Sequence, residues 1–453
     1  MSSKSKELEP KIIKVEELLK INNINIPYYQ RPYKWTVNNV SQLLNDILFH
    51  KDKSAYRLGT IVFHFDCKKN NLEIVDGQQR TVTLILIHLA LQEQENKELS
   101  KELKDNKYKL PESKLFQTLD FNSEVSRKNI KDNYNEIKRR LVDFDQDIVS
   151  FFYEKCELVS IKLNDISEAF QFFDSQNSRG KDLAPHDLLK AFHLREMAHV
   201  TTETERIKKV ENWEKMESNE LRVLFANYLS RIKNWSNSKP SREFTKNDTH
   251  LFKGISPYVK ERYPFAAIYR ISNVYVDAYN DHHDRKIDMQ EMNYPFQLDH
   301  PLINGKRFFE FVDHYFSVRK NMEAALEKDE KSRKIFEIIN TYPGSERTGD
   351  RYIRNLFDCC LIYYWDKFEN VHFGKIVEKV FVWAYSLRIR HHSVQLATAD
   401  NYALEYPRFF QNIKAALHPN EILNMRINSL HSNEVVRHID ELIVKFKELN
   451  YYE

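Results

Sequence analysis

Val75-Asp76-Gly77-Gln78-Gln79-Arg80-Thr81 decides the predicted fold, because this stretch separates two apolar segments of different length. Leu72–Val75 before it has the composition of a short strand. Val82–Leu91 after it is almost wholly apolar and long enough to form a buried helix. At such a strand-to-helix turn, backbone N–H groups point outward and the helix dipole favours an anion. The turn therefore predicts a phosphate site.

The residue types in the turn suit that ligand. Gly77 lets the backbone approach a ligand closely, and the amides of Gln78 and Gln79 can bond phosphate or sugar oxygens. Arg80 offers a fork of donors to a phosphate group. The sequence lacks the P-loop pattern G-x-x-x-x-G-K-[ST], so the predicted site is of another kind.

Two interpretations of the turn stay open when it is considered alone. In the first, the turn is a phosphate site in which Asp76 holds a metal ion or orients Arg80, and the metal ligands stay unassigned. In the second, the segment is an Asp-Gly turn followed by a helix that Thr81 caps. Taken alone, the turn supports both equally.

The segments around the turn alternate helical and strand-like patterns, which indicates an α+β domain. Apolar spacing predicts helices at Ile12–Leu19 and Val37–Leu48, and strands at Asn23–Pro27, Leu58–Phe65 and Leu72–Val75, with a turn at Lys68–Asn71. From about residue 200 onward helical spacing dominates, as in Lys375–Trp383. We therefore expect a mixed N-terminal domain over residues 1–200 and a mostly α-helical C-terminal domain over residues 201–453.

Two further segments carry polar residues on stiff or turn-like backbone. In Ile26–Trp35 two prolines hold the chain extended, so Gln30 and Arg31 are displayed for ligand contact. The alternative is an aromatic edge segment that only covers the core. In Ala169–Leu183 a helix ends in a polar turn, where Asn177 is a candidate for the same anion, and the alternative is a helix-capping loop.

These segments together resemble the N-terminal domain of GmrSD-type restriction proteins, a ParB/sulfiredoxin-like domain. Its motifs I-P-x-Y-Q-R-x-Y-x-W, L-G-x-I, D-G-Q-Q-R-x-x-T-L and F-x-x-x-N-x-x-G-x-x-L with a downstream D-L-L-K stand in order at Ile26–Trp35, Leu58–Ile61, Asp76–Leu84, Phe173–Leu183 and Asp187–Lys190. Four ordered motifs over this span are specific.

The resemblance implies a nucleotide-binding, NTP-hydrolysing protein of anti-phage defence that senses modified DNA. It implies catalytic roles for Asp76 and Arg80, and nucleotide contacts by Gln30, Arg31, Gly77, Gln78, Gln79 and Asn177. The implied cofactors are a nucleoside triphosphate and Mg²⁺. Hydrolysis would use a metal-activated water, with Arg80 stabilising charge on the phosphates.

Relatives that cut DNA carry an HNH-like nuclease that opens with H-I-x-P, and this motif is not found here. We therefore expect a separate HNH-type nuclease subunit as partner. One alternative is a non-catalytic DNA-recognition module, and another is a nuclease built from unrecognised residues such as His282 and His283. The string Asp281–Asp284 is more typical of a solvated loop than of a metal site. Arg388–Gln395 is either a contact for DNA phosphates or a plain basic helix end.

The composition sets the remaining expectations. The chain of 453 residues has a net charge of +3, which neither requires nor excludes DNA binding. Its polar N-terminus lacks the apolar core of a signal peptide, and the sequence has no long uncharged apolar stretch, so we expect a cytoplasmic protein without a membrane span. Four scattered cysteines indicate no disulfide framework, and Cys359 and Cys360 suit core packing. Homo-oligomerisation stays open.

Overall fold

The computed structural model describes residues 10–27, 30, 32–67, 69–93, 110–113, 121, 123–164, 184–197, 201–257, 263–431 and 438–452. They divide into two compact units. The first is drawn from Met1–Leu183 and Thr201–Lys215, and the second from Ala184–Val200 and Met216–Glu453. The predicted boundary at residue 200 stays a prediction.

The first unit is α+β, as the alternating patterns predicted. Its strands are β1 (Lys11–Lys14), β2 (Ile24–Asn25), β3 (Tyr56–Asp66), β4 (Asn71–Asp76) and β5 (Cys156–Leu163), and its helices are α1 (Val15–Leu19), α2 (Val37–Phe49), α3 (Gln78–Glu93), α4 (Glu124–Arg140) and α5 (Gln146–Glu154), with α7 (Glu203–Lys215) later in the chain. The sheet order is β1-β5-β3-β4-β2. The pairs β3/β5 and β2/β4 are parallel, whereas β1/β5 and β3/β4 are antiparallel.

One predicted element differs from the structure. The spacing in Ile12–Leu19 predicts a helix throughout, but Lys11–Lys14 forms strand β1 and only Val15–Leu19 is helical. Ile12 and Ile13 lie opposite Val159 and Leu158 of β5. Pairing with a distant strand decided the conformation, and the local apolar spacing contains no information about that pairing.

Helix α3 occupies the core of this unit. The predicted buried helix at Val82–Leu91 is confirmed, and it extends from Gln78 to Glu93 with apolar side chains buried on all sides. Residues of α1, α2, α3 and α5 share one core with one face of the sheet. The other face carries a small cluster formed by Val62, Val75, Ile161 and Leu163. This packing fixes the start of α3 at the end of β4.

The second unit is helical, which confirms the predicted mostly α-helical second part. Its α-helices are α6 (Pro185–Met197), α8 (Ser218–Val223), α9 (Ser230–Ser236), α10 (Ala267–Asp281), α11 (His283–Asp288), α12 (Lys306–Lys328), α13 (Glu330–Thr341), α14 (Thr348–Phe368), α15 (Phe373–Arg390), α16 (Leu396–Leu404), α17 (Phe409–Ala415), α18 (Pro419–Leu423) and α19 (Asp440–Glu448). A π-helix spans Leu224–Leu229, and short 3₁₀ segments lie at Lys246–Phe252 and Pro264–Ala266. Over the described ranges no helix is long and apolar enough to cross a membrane.

Three sequence interpretations are settled in this unit. Cys359 and Cys360 are fully buried in α14, which confirms their role in core packing. The string Asp281–Asp284 is exposed to solvent as predicted, but the predicted loop is wrong: Asp281 ends α10, His283 begins α11, and only His282 lies between the two helices. Arg388 is 1% exposed and pairs with Asp350 across 3.2 Å. The prediction that Arg388 contacts DNA phosphates is therefore wrong, because its guanidinium is buried.

Candidate phosphate-binding site

The turn between β4 and α3 is a tight junction that requires glycine. Strand β4 ends at Asp76, α3 begins at Gln78, and Gly77 between them has φ +89°. A Cβ atom on Gly77 would lie 2.9 Å from the carbonyl oxygen of Thr60 and 3.1 Å from the Cα of Ile61. Only glycine combines this backbone angle with so close an approach to β3. The helix N-terminus is thereby held directly against the sheet.

The hydrogen bonds at the turn argue against the capping alternative. Both the N–H and the hydroxyl of Thr81 donate to the carbonyl oxygen of Gly77, each over 3.0 Å. Thr81 therefore binds a carbonyl group and caps no N–H group. In the described part of the chain, the backbone N–H groups of Gln78, Gln79 and Arg80 find no acceptor. These donors at a helix N-terminus are suited to an anion.

Arg80 lies over a glycine of the neighbouring strand. Gly59 has φ +129° at an irregularity in the pairing of β3 with β5. A Cβ atom on Gly59 would lie 2.6 Å from Nη1 and 2.9 Å from Cζ of Arg80. The glycine of the L-G-x-I motif thus leaves the space that the guanidinium fills. Sequence reasoning did not assign Gly59 to the site, although a glycine inside a strand is itself a signal of close approach.

The guanidinium of Arg80 is partly buried and is not neutralised by a direct partner. Among residues with described positions, it makes no hydrogen bond and no ion pair within 4.0 Å. Burial lowers the pKa of Arg80, while the nearby Asp76 and Tyr56 act to raise it. Arginine stays charged in proteins despite such a shift. The positive charge of the desolvated guanidinium and the dipole of the adjacent helix N-terminus both favour binding of an anion.

Gln78 contributes a buried amide with an unsatisfied atom. Its side chain is 5% exposed, and its Oε1 has no hydrogen-bond partner in the described chain. Leaving a buried polar atom unpaired costs about 1–3 kcal/mol. A half-turn of the amide would exchange its oxygen and nitrogen and present an N–H donor at the same place. The amide can therefore accept a partner of either polarity.

Gln79 and Gln30 lie at the turn, but their amides bind protein backbone. Gln79 accepts hydrogen bonds from the N–H groups of Lys34 and Trp35 at 2.7 and 3.1 Å, and donates to the carbonyl of Pro32 at 3.1 Å. Gln30 donates to the carbonyls of residues 74 and 75 at 3.0 and 2.6 Å. These hydrogen bonds of Gln30 and Gln79 hold the described part of the first motif against the turn. Their role as ligands stays a prediction.

Tyr33 in the first motif supports its other interpretation, as a segment that covers the core. Tyr33 is fully buried, and its hydroxyl bonds Thr83 over 2.7 Å and Asn133 over 3.0 Å. Burial raises the pKa of Tyr33. The same segment therefore covers the core with Tyr33 and reaches the turn with Gln30.

Two predicted site residues, Arg31 and Asn177, lie outside the described residues, as does the whole of Ala169–Leu183. The residues that are described contain no group of three or more His, Cys, Asp or Glu side chains that could hold a metal ion. Asp76 lies at the turn, where its Oδ1 accepts a hydrogen bond from the N–H of Gly77 over 2.7 Å. The Mg²⁺ expectation stays a prediction.

The comparisons with known proteins cover both parts of the chain. Residues 205–441, more than half of the chain, match the family described as "Family of unknown function (DUF7834)". The chain belongs to this family. Residues 15–194 match the family described as "GmrSD restriction endonuclease, N-terminal domain". No curated protein is significantly similar to the chain.

The second match confirms the resemblance that the four ordered motifs predicted. All four lie inside residues 15–194, and so does the turn at Asp76–Arg80. The N-terminal part is thus a domain of the GmrSD restriction type, which supports a role in restriction and phage defence. This DUF7834 member therefore combines that domain with a helical part whose family has no known function.

Proposed function

We propose that the turn Asp76–Arg80 binds the phosphate groups of a nucleoside triphosphate and that this chain hydrolyses it as part of an anti-phage restriction system. The observation that carries the proposal is the partly buried guanidinium of Arg80, which has no ion-pair partner within the described ranges and lies at the N-terminus of α3. Gly59 provides the space for this guanidinium. The match of residues 15–194 to a restriction family supports a role in phage defence.

Each group at the turn would have a separate role in binding and hydrolysis. The N–H groups at the start of α3 and the fork of Arg80 would bind phosphate oxygens, and Arg80 would stabilise the charge that develops during transfer. Gln78 would give its unsatisfied amide to the same ligand. Gln79 and Gln30 would position the loop of Pro32–Trp35 beside it.

Mg²⁺ would be held by Asp76 and the phosphates. One carboxylate is sufficient, because Mg²⁺ in phosphate sites is usually bound by one or two carboxylates together with substrate oxygens. The ion, when bound, would activate the attacking water. Hydrogen bonding from the N–H of Gly77 fixes the orientation of the Asp76 carboxylate at the turn.

The proposal that the system acts on DNA rests on the match to the restriction family. Modified phage DNA would be the signal that the system senses, and cutting would be done by a separate HNH-type nuclease. DNA nicking by the isolated chain with Mg²⁺ or Mn²⁺ would instead favour a nuclease built from unrecognised residues.

Release of inorganic phosphate from nucleoside triphosphates tests the proposal. Arg80→Ala is expected to reduce the rate at least about 100-fold, because arginines that contact the transferred phosphoryl group contribute about 10³ or more in rate. Arg57→Ala is the matched control: it lies on the same strand as Gly59, its side chain is 57% exposed, and it pairs with Glu157. Hydrolysis at the wild-type rate by Arg80→Ala would refute the assignment.

A second candidate is a non-catalytic module in which the same turn binds DNA backbone phosphates. The hydrogen bonds of Gln79 and Gln30 to backbone favour it, because they leave fewer side chains for chemistry. Backbone phosphates are commonly bound by arginine and by helix N-termini. Binding of DNA that Arg80→Ala abolishes, without phosphate release by the wild type, would select this candidate.

A further inference from the structure

Helix α10 of the second unit exposes its apolar side. The described residues have 18 exposed large hydrophobic side chains, and six of them fall within residues 263–275, so the exposure is concentrated in one place. They are Tyr263, Phe265, Ile268, Ile271, Val274 and Tyr275, each between 57% and 68% exposed. Single exposed apolar residues are ordinary, but a contiguous patch marks an interaction site.

The opposite side of α10 is polar and is bonded to the unit. Arg307 donates to the side chain of Asn273 over 2.8 Å and to Asp277 over 2.9 Å. Asn280 exchanges two hydrogen bonds with the backbone of Met292 at 2.8 and 3.0 Å. Val276 is the only residue that the helix buries. The helix is therefore inverted relative to an ordinary surface helix, whose apolar stripe faces the core.

The exposed surface of residues 263–278 carries no charged side chain, and its apolar residues follow helical spacing. Every exposed residue between 263 and 278 is apolar or a tyrosine. Ile268, Ile271 and Tyr275 follow the i, i+3, i+7 spacing by which one helix packs against another. We call residues 263–278 with this exposure the α10 face.

We infer that the α10 face is the contact by which two copies of this chain form a dimer. In a two-fold contact each surface meets itself, so any charge in its centre would face an identical charge. The α10 face has none, which suits pairing with itself.

The area of the face agrees with this occupant. At roughly 200 Å² for each large side chain, the six residues at about three-fifths exposure present on the order of 700 Å². This is close to the roughly 800 Å² per partner of a standard stable interface, and above the largest patch of most monomers. Covering the face with a second copy removes the apolar surface from water.

Sedimentation equilibrium of the full chain tests the inference. The wild type is expected at twice the chain mass of 54.3 kDa. Ile271→Asp places a charge within the apolar contact and is expected to weaken dimerisation at least about tenfold, the effect of losing one interface hot spot. Leu417→Asp is the control, since Leu417 is 90% exposed and lies outside the face, and it should stay dimeric.

Folding of the variants can be verified by circular dichroism, and the neutral Ile271→Gln provides a second variant that should also weaken the dimer. The position is 68% exposed, so neither change removes a core contact. A wild type that stays monomeric at micromolar concentrations would overturn the inference. A dimer that Ile271→Asp and Ile271→Gln leave intact would overturn it as well.

Discussion

Adjacent glutamines at the start of α3 have opposite surroundings, although both are buried. Gln79 satisfies three backbone groups of the first motif, whereas Gln78 leaves its Oε1 without a partner in the described structure. Buried polar atoms without partners are destabilising, and each calls for an explanation such as a catalytic role or a bound ion. We therefore attribute stability to Gln79 and ligand contact to Gln78.

This difference predicts opposite effects of the same substitution at the two positions. Gln79→Leu should lower the free energy of unfolding by roughly 3 kcal/mol, because it leaves backbone groups of Pro32, Lys34 and Trp35 unpaired. Gln78→Leu should leave it unchanged or raise it by about 1 kcal/mol, while weakening triphosphate binding. Urea unfolding and nucleotide titration of both variants check this. Equal destabilisation by the two changes would contradict the division of roles.

At the scale of elements, the site depends on how β3, β4 and α3 fit together. Gly77 holds the start of α3 against β3, and Gly59 on β3 makes room for Arg80. Gly77 therefore positions the helix terminus and Gly59 the guanidinium, although the two glycines belong to different motifs. Each position has a positive φ, so each resists substitution for two reasons, backbone angle and space.

Gly59→Ala should weaken triphosphate binding by displacing the guanidinium of Arg80. Its effect should not add to that of Arg80→Ala, because both changes remove the same contact. A double-mutant cycle of binding affinities measures this, with circular dichroism to verify that the sheet is retained. Fully additive losses would show that Gly59 and Arg80 act separately.

The sequence was sufficient for most elements of the first unit but not for the contacts at the site. Local spacing identified α2, β3, β4 and the buried part of α3, because each has a continuous apolar pattern. It misassigned Ile12–Lys14, which pair with β5 about 145 residues away along the chain. It also missed Gly59 beside Arg80, since that contact follows from strand pairing and a bulge that no local pattern encodes.

Phosphate binding at the turn was predicted from its residue types and stays a prediction, whereas the backbone partners of the amides were not predicted. Gln30 and Gln79 were expected to contact the ligand, and their observed partners are backbone groups 44 to 47 residues apart in sequence. Such partners become visible only when the first motif is placed against α3. The aromatic-cover interpretation of that motif applies to Tyr33, which is buried, whereas ligand contact by Gln30 stays a prediction.

At the scale of the whole molecule, the chain joins a GmrSD-type N-terminal domain to a helical part from a family of unknown function. The first carries the candidate phosphate site, and the second carries the α10 face. The two proposals fail independently, because one is tested with nucleotides and the other by the mass of the particle.

The central claim is that the Asp76–Arg80 turn recognises phosphate through Arg80, and equilibrium titration with a fluorescent nucleoside triphosphate tests it most directly. Arg80→Ala should bind about 10- to 100-fold more weakly, the equivalent of a lost charge-assisted hydrogen bond of about 1.5–3 kcal/mol. Arg57→Ala should bind as the wild type does, and unlabelled triphosphate should compete where the bare nucleoside does not. Unchanged affinity in Arg80→Ala, or equal competition by the nucleoside, would contradict the claim.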